Sequence, residues 1–176
     1  MLNFVGKSFR PTHINTIGID KEQRDFDYEG KIVPVVVWDT AGQEKYRGAL
    51  PKQLFKRIHG VLLVYDINNH STFNSVSSWM ELIKADAPED TAIVLVANKI
   101  DLEYRVSESE GRDLSKLYRI PFIMTSAKEG LNIEVAFREL MKAVLTKNPG
   151  ILSTLKSSTI DLDDKPRDNK NCCSRG

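Results

Sequence analysis

Runs of mainly apolar residues predict the buried strands of this chain. Four such runs occupy residues 33–37, 60–66, 92–97 and 121–124. They are continuous rather than alternating, which is typical of strands covered on both faces, as in a parallel sheet between two layers of helices. The pattern therefore indicates an α/β fold, in which the polar residues that follow the strands gather at one edge of the sheet.

Apolar residues at helical spacing predict the elements between and after these strands. Ser107 and Glu110 form the pattern of a capping box, so we expect a helix to begin there and to run to Tyr118. We expect Asn132 to cap the last helix, and Gly30 to supply the positive φ of a tight hairpin turn. The two apolar stripes consist of Phe73, Val76, Trp79, Met80 and Ile83, and of Ile133, Ala136, Phe137, Leu140, Met141 and Val144.

The composition limits the classes of protein to which the chain can belong. Its 176 residues leave room for one domain and a tail, and the apolar fraction (41%) and charged fraction (28%) are ordinary for a globular protein. A formal net charge of +1 gives no general attraction to nucleic acid, which we do not expect as a partner. No apolar run approaches the roughly 20 residues that span a bilayer. Both cysteines, Cys172 and Cys173, lie in the C-terminal tail, which fits a reducing compartment.

The polar residues that follow the first strand have the chemistry of a phosphate site. The run at 33–37 leads through Trp38 and Asp39 into a loop that contains Gly42 and Gln43. An Asp just past a strand can hold Mg²⁺, and a Gly lets a backbone N–H approach a phosphate. A Gln can orient a water molecule for in-line attack on that phosphate. Any one of these residues alone fits an ordinary strand-to-loop exit better, but as a block Asp39, Gly42 and Gln43 indicate a nucleotide site.

The polar residues that follow the third strand have the chemistry of a guanine site. Asn98, Lys99 and Asp101 come directly after the run at 92–97. A carboxylate can accept two hydrogen bonds at once, and guanine presents N1–H and N2–H₂ side by side, whereas adenine has no such pair. We predict that Asp101 selects guanine, that Asn98 ties neighbouring loops together, and that the stem of Lys99 lies along the base.

Four segments in order resemble motifs of the Rab branch of the Ras superfamily of small GTPases. Residues 38–44, Trp-Asp-Thr-Ala-Gly-Gln-Glu, are similar to the opening of switch II, and residues 16–20 resemble switch I. Residues 98–101 match the motif Asn-Lys-x-Asp, and residues 125–128 resemble the fifth motif of the family. The resemblance implies a switch that binds GTP and GDP with Mg²⁺ and acts in intracellular vesicle trafficking.

The resemblance also implies roles for single residues. Thr16 and Asp39 would hold Mg²⁺, and Gln43 would be the catalytic residue of GTP hydrolysis. The Ala127 N–H would bind guanine O6, while Lys128 would cover the ring. The full set of expected nucleotide-binding residues is Thr16, Asp39, Gly42, Asn98, Lys99, Asp101, Ser126, Ala127 and Lys128.

Protein partners are expected at the two switch segments. The resemblance implies that effectors, exchange factors and GTPase-activating proteins bind through the stretch from Ile17 to Asp20, and through Trp38 and Tyr46. Lys21 stands where Rab proteins usually carry an aromatic residue that packs on Trp38. The usual effector patch of the family is therefore expected to be altered here.

The fold implied by the resemblance is a three-layer G domain of the P-loop NTPase type, over residues 1–146, with a mixed, mostly parallel sheet. Gly6, Lys7 and Ser8 end like a P-loop, but the motif needs a Gly at the position of Met1 and a strand before it. We therefore expect this chain to lack the first strand and the P-loop. Nucleotide binding is then expected to be impaired, because little else neutralises the β- and γ-phosphates.

The expected loss of the first strand has a consequence for stability. In small GTPases that strand lies centrally, between the strands that end here at Trp38 and Asp66. Without a substitute, these two strands pair with each other or keep unpaired edges inside the domain. Because each buried unpaired group costs about 1–3 kcal/mol, we expect a marginally stable, aggregation-prone chain.

Residues 147–176 predict a flexible tail, because their Lys, Ser, Asp and Asn residues cannot bury enough apolar area to fold. Ser174 and Arg175 are not aliphatic, so the C-a-a-X route of single-cysteine prenylation does not fit. The adjacent Cys172 and Cys173 resemble the double geranylgeranylation site of Rab proteins. This implies recognition by the prenylation machinery and a lipid anchor on the cytosolic face of intracellular membranes, with cycling to the cytosol.

Two hypotheses from different classes follow from the sequence. The first is a Rab switch that binds GTP and hydrolyses it slowly until an external arginine finger accelerates the reaction. The second is a Rab-like interaction module without enzymatic activity, which does not bind a triphosphate. Retention of Gln43, Asp101 and Ala127 favours the first, and the expected lack of a P-loop favours the second.

Overall fold

A computed structural model describes residues 19–40 and 55–154 of the chain. After the first two strands, strands and helices alternate up to the last long helix, as the apolar pattern predicts. In chain order the elements are β1 (Ile19–Tyr28), β2 (Lys31–Thr40), β3 (Gly60–Asp66), α1 (His70–Asp86), β4 (Ala92–Asn98), α2 (Glu108–Tyr118), β5 (Phe122–Met124), α3 (Ile133–Lys147) and α4 (Gly150–Thr154).

The first two strands form an antiparallel hairpin, with Tyr28 paired to Lys31 across a two-residue turn. Gly30 has the expected positive φ of 77°, and Glu29 also has a positive φ, of 53°. Positive φ at both central residues is typical of a type I′ turn, whose twist matches that of the strands. The Asp27 carboxylate accepts a hydrogen bond from the Gly30 N–H (3.0 Å) and so supports the turn.

Strands β3, β4 and β5 form a parallel sheet in that order. Helices α1 and α2 cover one face of this sheet, and α3 covers the other. The central strand β4 is buried on both faces, since Val94 and Leu95 are each 0% exposed. The predicted α/β architecture, a parallel sheet between two layers of helices, is therefore confirmed.

Helix α3 also holds the hairpin against the parallel sheet. Phe26 of β1 and Val33 of β2 are buried against Phe137 and Met141 of α3. At the surface, Arg24 of β1 makes an ion pair with Glu134 at the start of the helix (3.0 Å). The polar pair and the apolar contacts together fix the position of the hairpin relative to β3.

Strand β2 differs from its prediction in two ways. Only one of its faces is buried, because Val36 and Trp38 on the opposite face are 40% and 45% exposed. The strand also continues to Thr40, so Trp38 and Asp39 lie within it rather than in the following loop. Continued pairing with β1 explains this length, since Asp39 lies opposite Asp20.

The described strands form two sheets rather than one mixed sheet. Within residues 19–40 and 55–154, β2 pairs only with β1, and β3 pairs only with β4. The two strands that were expected to flank a central strand therefore do not pair with each other in this part of the chain.

One of the two predicted helix caps is present. Ser107 and Glu110 form a reciprocal capping box, in which Ser107 N–H donates to the Glu110 carboxylate (2.8 Å) and Glu110 N–H donates to Ser107 Oγ (3.3 Å). Asn132 occupies the N-cap position of α3 as predicted, but its side chain makes no capping hydrogen bond. Its backbone is left-handed (φ 57°) rather than extended, and its side chain donates instead to the Met124 carbonyl (2.9 Å).

Order extends beyond residue 146, where the tail was expected to begin. Helix α3 ends at Lys147, and the short α4 (Gly150–Thr154) follows it. Ile151 and Leu152 of α4 pack against the cluster between α3 and the hairpin. No helix in the described part of the chain combines the length and apolar character needed to cross a bilayer.

Candidate functional site

The candidate site lies at the carboxyl edge of the parallel sheet, where three strands end side by side. Asp66 at the end of β3 lies opposite Asn98 at the end of β4. Thr125 directly follows β5, and its N–H donates to the Ala97 carbonyl (2.8 Å). Polar side chains from three distant parts of the chain therefore meet at one edge, which is where α/β sheets bind ligands.

Asn98 connects the loops that follow β4 and β5. Its Oδ1 accepts hydrogen bonds from the Ala127 N–H (3.0 Å) and from Thr125 Oγ1 (3.2 Å). Thr125 is only 1% exposed, whereas Asn98 and Ala127 are half-buried, so the network is partly shielded from water. The Ala127 N–H, which was expected to bind guanine O6, thus already donates to Asn98, and a second acceptor would have to share it.

Two residues of the loop after β5, Ser126 and Lys128, hold the Asp101 carboxylate in place. Its Oδ1 accepts a hydrogen bond from Ser126 Oγ (2.6 Å), and its Oδ2 lies 3.6 Å from Lys128 Nζ. Ser126 is fully buried, and it also accepts a hydrogen bond from the Glu129 N–H (3.1 Å). The buried Ser126 hydroxyl therefore fixes the orientation of the Asp101 carboxylate.

The charges at this point favour an ionised carboxylate. The hydrogen bond from Ser126 and the nearby Lys128 ammonium lower the pKa of Asp101 below its usual range. Glu129 and Asp101 raise the pKa of Lys128. At neutral pH the loop thus presents a carboxylate, which can accept about four hydrogen bonds and still has positions left beyond those made to Ser126 and Lys128.

Lys99 makes an ion pair that sequence reasoning missed. Its Nζ lies 2.6 Å from Asp66 Oδ2, and its backbone has a positive φ of 68°. The other oxygen of Asp66 accepts a hydrogen bond from the Asn68 N–H (2.9 Å), so the carboxylate is fixed at both oxygens. Asp66 therefore sets the direction of the Lys99 side chain. The one signal in the sequence was that Asp66 ends the strand next to the one that ends at Asn98.

The structure brings together the predicted base-site residues and leaves others elsewhere. Asp39 lies in β2 of the other sheet, opposite Asp20. Outside the described residues lie Thr16, Ile17, Gly42, Gln43, Tyr46, Cys172 and Cys173. The residues that meet at the sheet edge are Asn98, Lys99, Asp101, Ser126, Ala127 and Lys128.

The donor set at the sheet edge fits a planar base better than a metal ion. Within the described ranges, no three His, Cys, Asp or Glu side chains cluster closely enough to bind a metal. The Asp101 carboxylate instead offers adjacent acceptor positions beside the aliphatic stems of two lysines, Lys99 and Lys128. That combination suits a flat ligand with two neighbouring N–H donors.

The hairpin carries a second polar feature, at the position where an aromatic residue was expected. Lys21 lies opposite Trp38 in the strand register, and its ammonium is 5.4 Å from the centre of the indole ring. A cation over an aromatic face is attracted to it. The half-exposed Trp38 ring thus has a charged side chain beside it instead of the aromatic residue that was expected.

Together these features define an α/β protein in which polar side chains from two loops meet at the carboxyl edge of a parallel sheet. Residues 1–146 match the sequence model of the Ras family. Ras-related protein Rab-13 of Rattus norvegicus is 36% identical over the whole of this chain and 88% of its own length. Ras-related protein Rab-1D of Dictyostelium discoideum is 34% identical over 94% of this chain and 81% of its own length. GTP-binding protein YPTM1 of Zea mays is 34% identical over 99% of this chain and 88% of its own length. The chain therefore belongs to the Ras family, in its Rab branch of small GTPases.

Proposed function

We propose that this chain binds guanine nucleotides and works as a molecular switch in intracellular membrane trafficking. The observation that carries the proposal is the Asp101 carboxylate, held by Ser126 (2.6 Å) at the carboxyl edge of the sheet with acceptor positions to spare. Membership of the Rab branch supports it, and one relative is described as a GTP-binding protein.

In this proposal each residue of the base site has a separate task. Asp101 accepts the two N–H donors of guanine, and Asn98 keeps the loops of β4 and β5 together through Ala127 and Thr125. Lys99 lies along the base in a direction that Asp66 fixes through their ion pair (2.6 Å). The site thereby recognises the base by hydrogen bonds and holds its faces by aliphatic stems.

We further propose that the phosphate end of the site is built from the switch segments. When bound, GTP would supply the γ-phosphoryl group whose transfer to water resets such a switch, and Mg²⁺ would neutralise the charge on the phosphate oxygens. Thr16 and Asp39 are the residues that we assign to the metal ion, Gly42 to the γ-phosphate and Gln43 to the attacking water. The Ile17 to Asp20 stretch, Trp38 and Tyr46 are assigned to effectors and regulators.

Calorimetry with GDP and ADP tests the proposal directly. We expect this chain to bind GDP at least about tenfold more tightly than ADP, since two charge-assisted hydrogen bonds distinguish the bases. Equal affinities for GDP and ADP would contradict the base-recognition role. Failure to bind either nucleotide would favour the alternative, a Rab-like interaction module that does not bind a triphosphate.

We also propose that Cys172 and Cys173 carry two prenyl groups that attach the chain to the cytosolic face of intracellular membranes. Two lipid chains give stable attachment, whereas one gives only marginal, reversible binding. Replacing one cysteine with Ser should therefore shift most of the protein to the cytosol, and replacing both should remove the membrane fraction altogether. Intact-mass measurement should show two isoprenoid additions on the native protein.

A matched control is available in the same tail. Ser174→Ala changes a neighbouring residue without removing a thiol, and its membrane fraction should equal that of the native protein. An unmodified mass for the native chain, or membrane binding that survives the double replacement, would refute the lipid anchor.

A further inference from the structure

Residues 66–69, which connect β3 to α1, lie against the base site, although the sequence assigned none of them to it. The Asp66 N–H donates to Thr72 Oγ1 (3.0 Å), and the Asn69 N–H donates to the Asp66 carbonyl (2.9 Å). Asn69 also caps α1, because its side chain accepts a hydrogen bond from the Ser71 N–H (3.0 Å). The first turn of α1 therefore fixes the position of this connection.

The backbone of Ile67 holds both ends of the loop that carries Asp101. The Ile67 N–H donates to the Asn98 carbonyl (3.0 Å). The Ile67 carbonyl accepts hydrogen bonds from the Arg105 N–H and the Val106 N–H, both at 3.0 Å. Ile67 and Val106 are each 0% exposed, so these bonds are protected from water. Asp101 thus lies on a loop whose two ends are fixed at one buried residue.

The Asp66 carboxylate reaches the middle of the same loop in two directions. Its Oδ2 lies 2.6 Å from Lys99 Nζ, and its Oδ1 accepts a hydrogen bond from the Asn68 N–H (2.9 Å). The Asn68 side chain in turn donates through Nδ2 to the Glu103 carbonyl (2.7 Å). Lys99 precedes Asp101 in the chain and Glu103 follows it. One carboxylate therefore supports the turn of Asp101 from both sides.

We propose that Asp66 is a positioning residue of the base site, which acts on the nucleotide through Lys99 and through Asn68 without touching it. The ion pair holds the Lys99 stem in the direction of the base, and the hydrogen bond from Asn68 to Glu103 holds the turn of Asp101. Side chains that are already fixed lose less conformational freedom when a ligand binds. The inference rests on the proposed function, because that function assigns Lys99 and Asp101 to guanine.

The geometry of Lys99 fits a role in ligand binding better than a role in stability alone. Its positive φ of 68° is uncommon for a residue other than glycine, and such backbone strain clusters at ligand sites. Its side chain is 52% exposed, and an ion pair with so exposed a partner contributes little to folding. The Asp66 side chain is only 19% exposed, so it has little freedom and can hold the mobile lysine.

A double-mutant cycle, measured by calorimetry of the full chain with GDP and ADP, tests the contact with Lys99. Asp66→Asn keeps an acceptor for the Asn68 N–H but removes the charge that holds Lys99, so both nucleotides should bind about three- to tenfold more weakly. Lys99→Met keeps an aliphatic stem that cannot pair with Asp66, and it should cause a similar loss. The double variant should bind no more weakly than Lys99→Met alone, because Asp66 acts through Lys99.

The ratio of GDP to ADP affinity tests the contact through Asn68. Asn68→Ala removes the donor to the Glu103 carbonyl and loosens the turn of Asp101, so this ratio should fall about three- to tenfold. The affinity for ADP should stay the same, because adenine lacks the donor pair that Asp101 recognises. A general loss of folding would instead lower both affinities together. Asn68→Ser removes the same donor and is the second variant if Asn68→Ala does not fold.

Two matched controls change the same residue types away from the base site. Asp113→Asn removes a carboxylate that also pairs with a lysine, Lys116 (3.1 Å), on the exposed side of α2. Asn74→Ala removes an exposed asparagine from α1. Both variants should bind GDP and ADP like the native chain. Urea denaturation of every variant establishes that it is folded.

The outcomes separate this inference from the proposed function. If the native chain prefers GDP but Asp66→Asn binds both nucleotides equally well as the native chain, Asp66 does not position the site. Additive losses in the cycle would show that Asp66 does not act through Lys99. Equal losses of GDP and ADP affinity in a folded Asn68→Ala variant would show that Asn68 does not position Asp101. A native chain that binds neither nucleotide, or binds both equally, would contradict the proposed function and this inference with it.

Discussion

Replacing Asp101 with Asn should abolish the preference of this protein for guanine over adenine. The carboxylate offers only acceptors, whereas the Asn amide offers one acceptor and one pair of donors. The amide donors would face the N2–H₂ donors of guanine, so an attraction becomes a repulsion. A bidentate contact discriminates by about 1–3 kcal/mol, so the preference should fall by roughly 10- to 100-fold.

The same variant should gain affinity for a different base. Xanthine carries a carbonyl where guanine carries its amino group, and the amide introduced by Asp101→Asn would donate a hydrogen bond to that carbonyl. Calorimetry with GDP, ADP and xanthosine diphosphate should therefore show a change of specificity in this variant. Unchanged selectivity for GDP would show that Asp101 does not recognise the base.

Asp113→Asn is the control for this experiment. Asp113 also lies near a lysine, with Lys116 Nζ at 3.1 Å, but its side chain is 71% exposed on α2. The replacement removes the same charge without touching the sheet edge. Its affinities for GDP and ADP should match those of the native chain.

The pH dependence of guanine selectivity follows from the state of the same carboxylate. Ser126 and Lys128 lower the pKa of Asp101, so the ionised form persists below the usual range of an Asp carboxyl. A lowered pKa means that the acceptor pair is present at higher pH and is lost only as the pH falls through that lowered value. The ratio of GDP to ADP affinity should therefore be constant between about pH 7 and about pH 5.

The meeting of the predicted base-site residues at one sheet edge was predictable because they lie in two short stretches that follow buried strands. The stretch from Asn98 to Asp101 begins at the last residue of β4, and Ser126 to Lys128 lie in the loop that follows β5. Parallel strands end at the same edge, so the two loops must meet there. The hydrogen bond between the two stretches, from the Ala127 N–H to Asn98 Oδ1, could therefore be expected from the order of the strands alone.

The pair between Lys99 and Asp66 could not be derived in the same way. It depends on the register of β3 against β4, which places Asp66 directly opposite Asn98. A shift of one residue in that register would turn the Asp66 side chain to the other face of the sheet. It also depends on the positive φ of Lys99. A lysine gives no indication in the sequence that its backbone adopts this uncommon conformation.

Local sequence preferences also gave wrong predictions at two places, the side-chain cap at Asn132 and the burial of β2, because contacts with the rest of the fold determine both. Asn is a good helix cap, but Asn132 follows a tight turn in which Gly130 also has a positive φ. Its left-handed backbone directs the amide to Met124 instead. Similarly, the continuous apolar run of β2 predicted burial on both faces, yet among the described elements helices cover only one of its faces, the one that packs on α3 and α4.

Replacing Gly111 with Ala should destabilise the folded protein by about 2 kcal/mol, although Ala favours helices by about 1 kcal/mol. Gly111 lies in α2, where a Cβ would stand 2.5 Å from the Tyr65 hydroxyl and 2.7 Å from Phe122 Cζ. Both contacts are too short, and Tyr65 is only 1% exposed, so it has little room to move. The close approach of α2 to the sheet thus requires glycine.

Gly150→Ala is the matched control for this substitution. Gly150 also lies in a helix, α4, but a Cβ there would meet nothing within 4 Å. Its free energy of unfolding, measured by urea denaturation, should be unchanged or slightly higher. A loss equal to that of Gly111→Ala would mean that crowding against Tyr65 is not the cause.

Tyr65→Phe should relieve part of the crowding and remove a costly group. The Tyr65 hydroxyl is buried, and in the described part of the chain it has no hydrogen-bond partner. Burial of an unsatisfied hydroxyl costs about 1–3 kcal/mol, so the single variant should be as stable as the native chain or more stable. The double variant Tyr65→Phe, Gly111→Ala should be more stable than Gly111→Ala alone, with Phe122 accounting for the remaining loss.

Alkaline pH separates this explanation from a general change in packing. Burial, with a smaller contribution from Glu110, raises the pKa of Tyr65 from 10.0 to about 12. The unfolded chain therefore ionises first, and the stability present below pH 10 is lost as the pH rises towards 12. Because Phe cannot ionise, Tyr65→Phe should lose less stability than the native chain over that interval. Parallel losses in the two proteins would show that the Tyr65 hydroxyl is not buried, and the crowding at Gly111 would then need another cause.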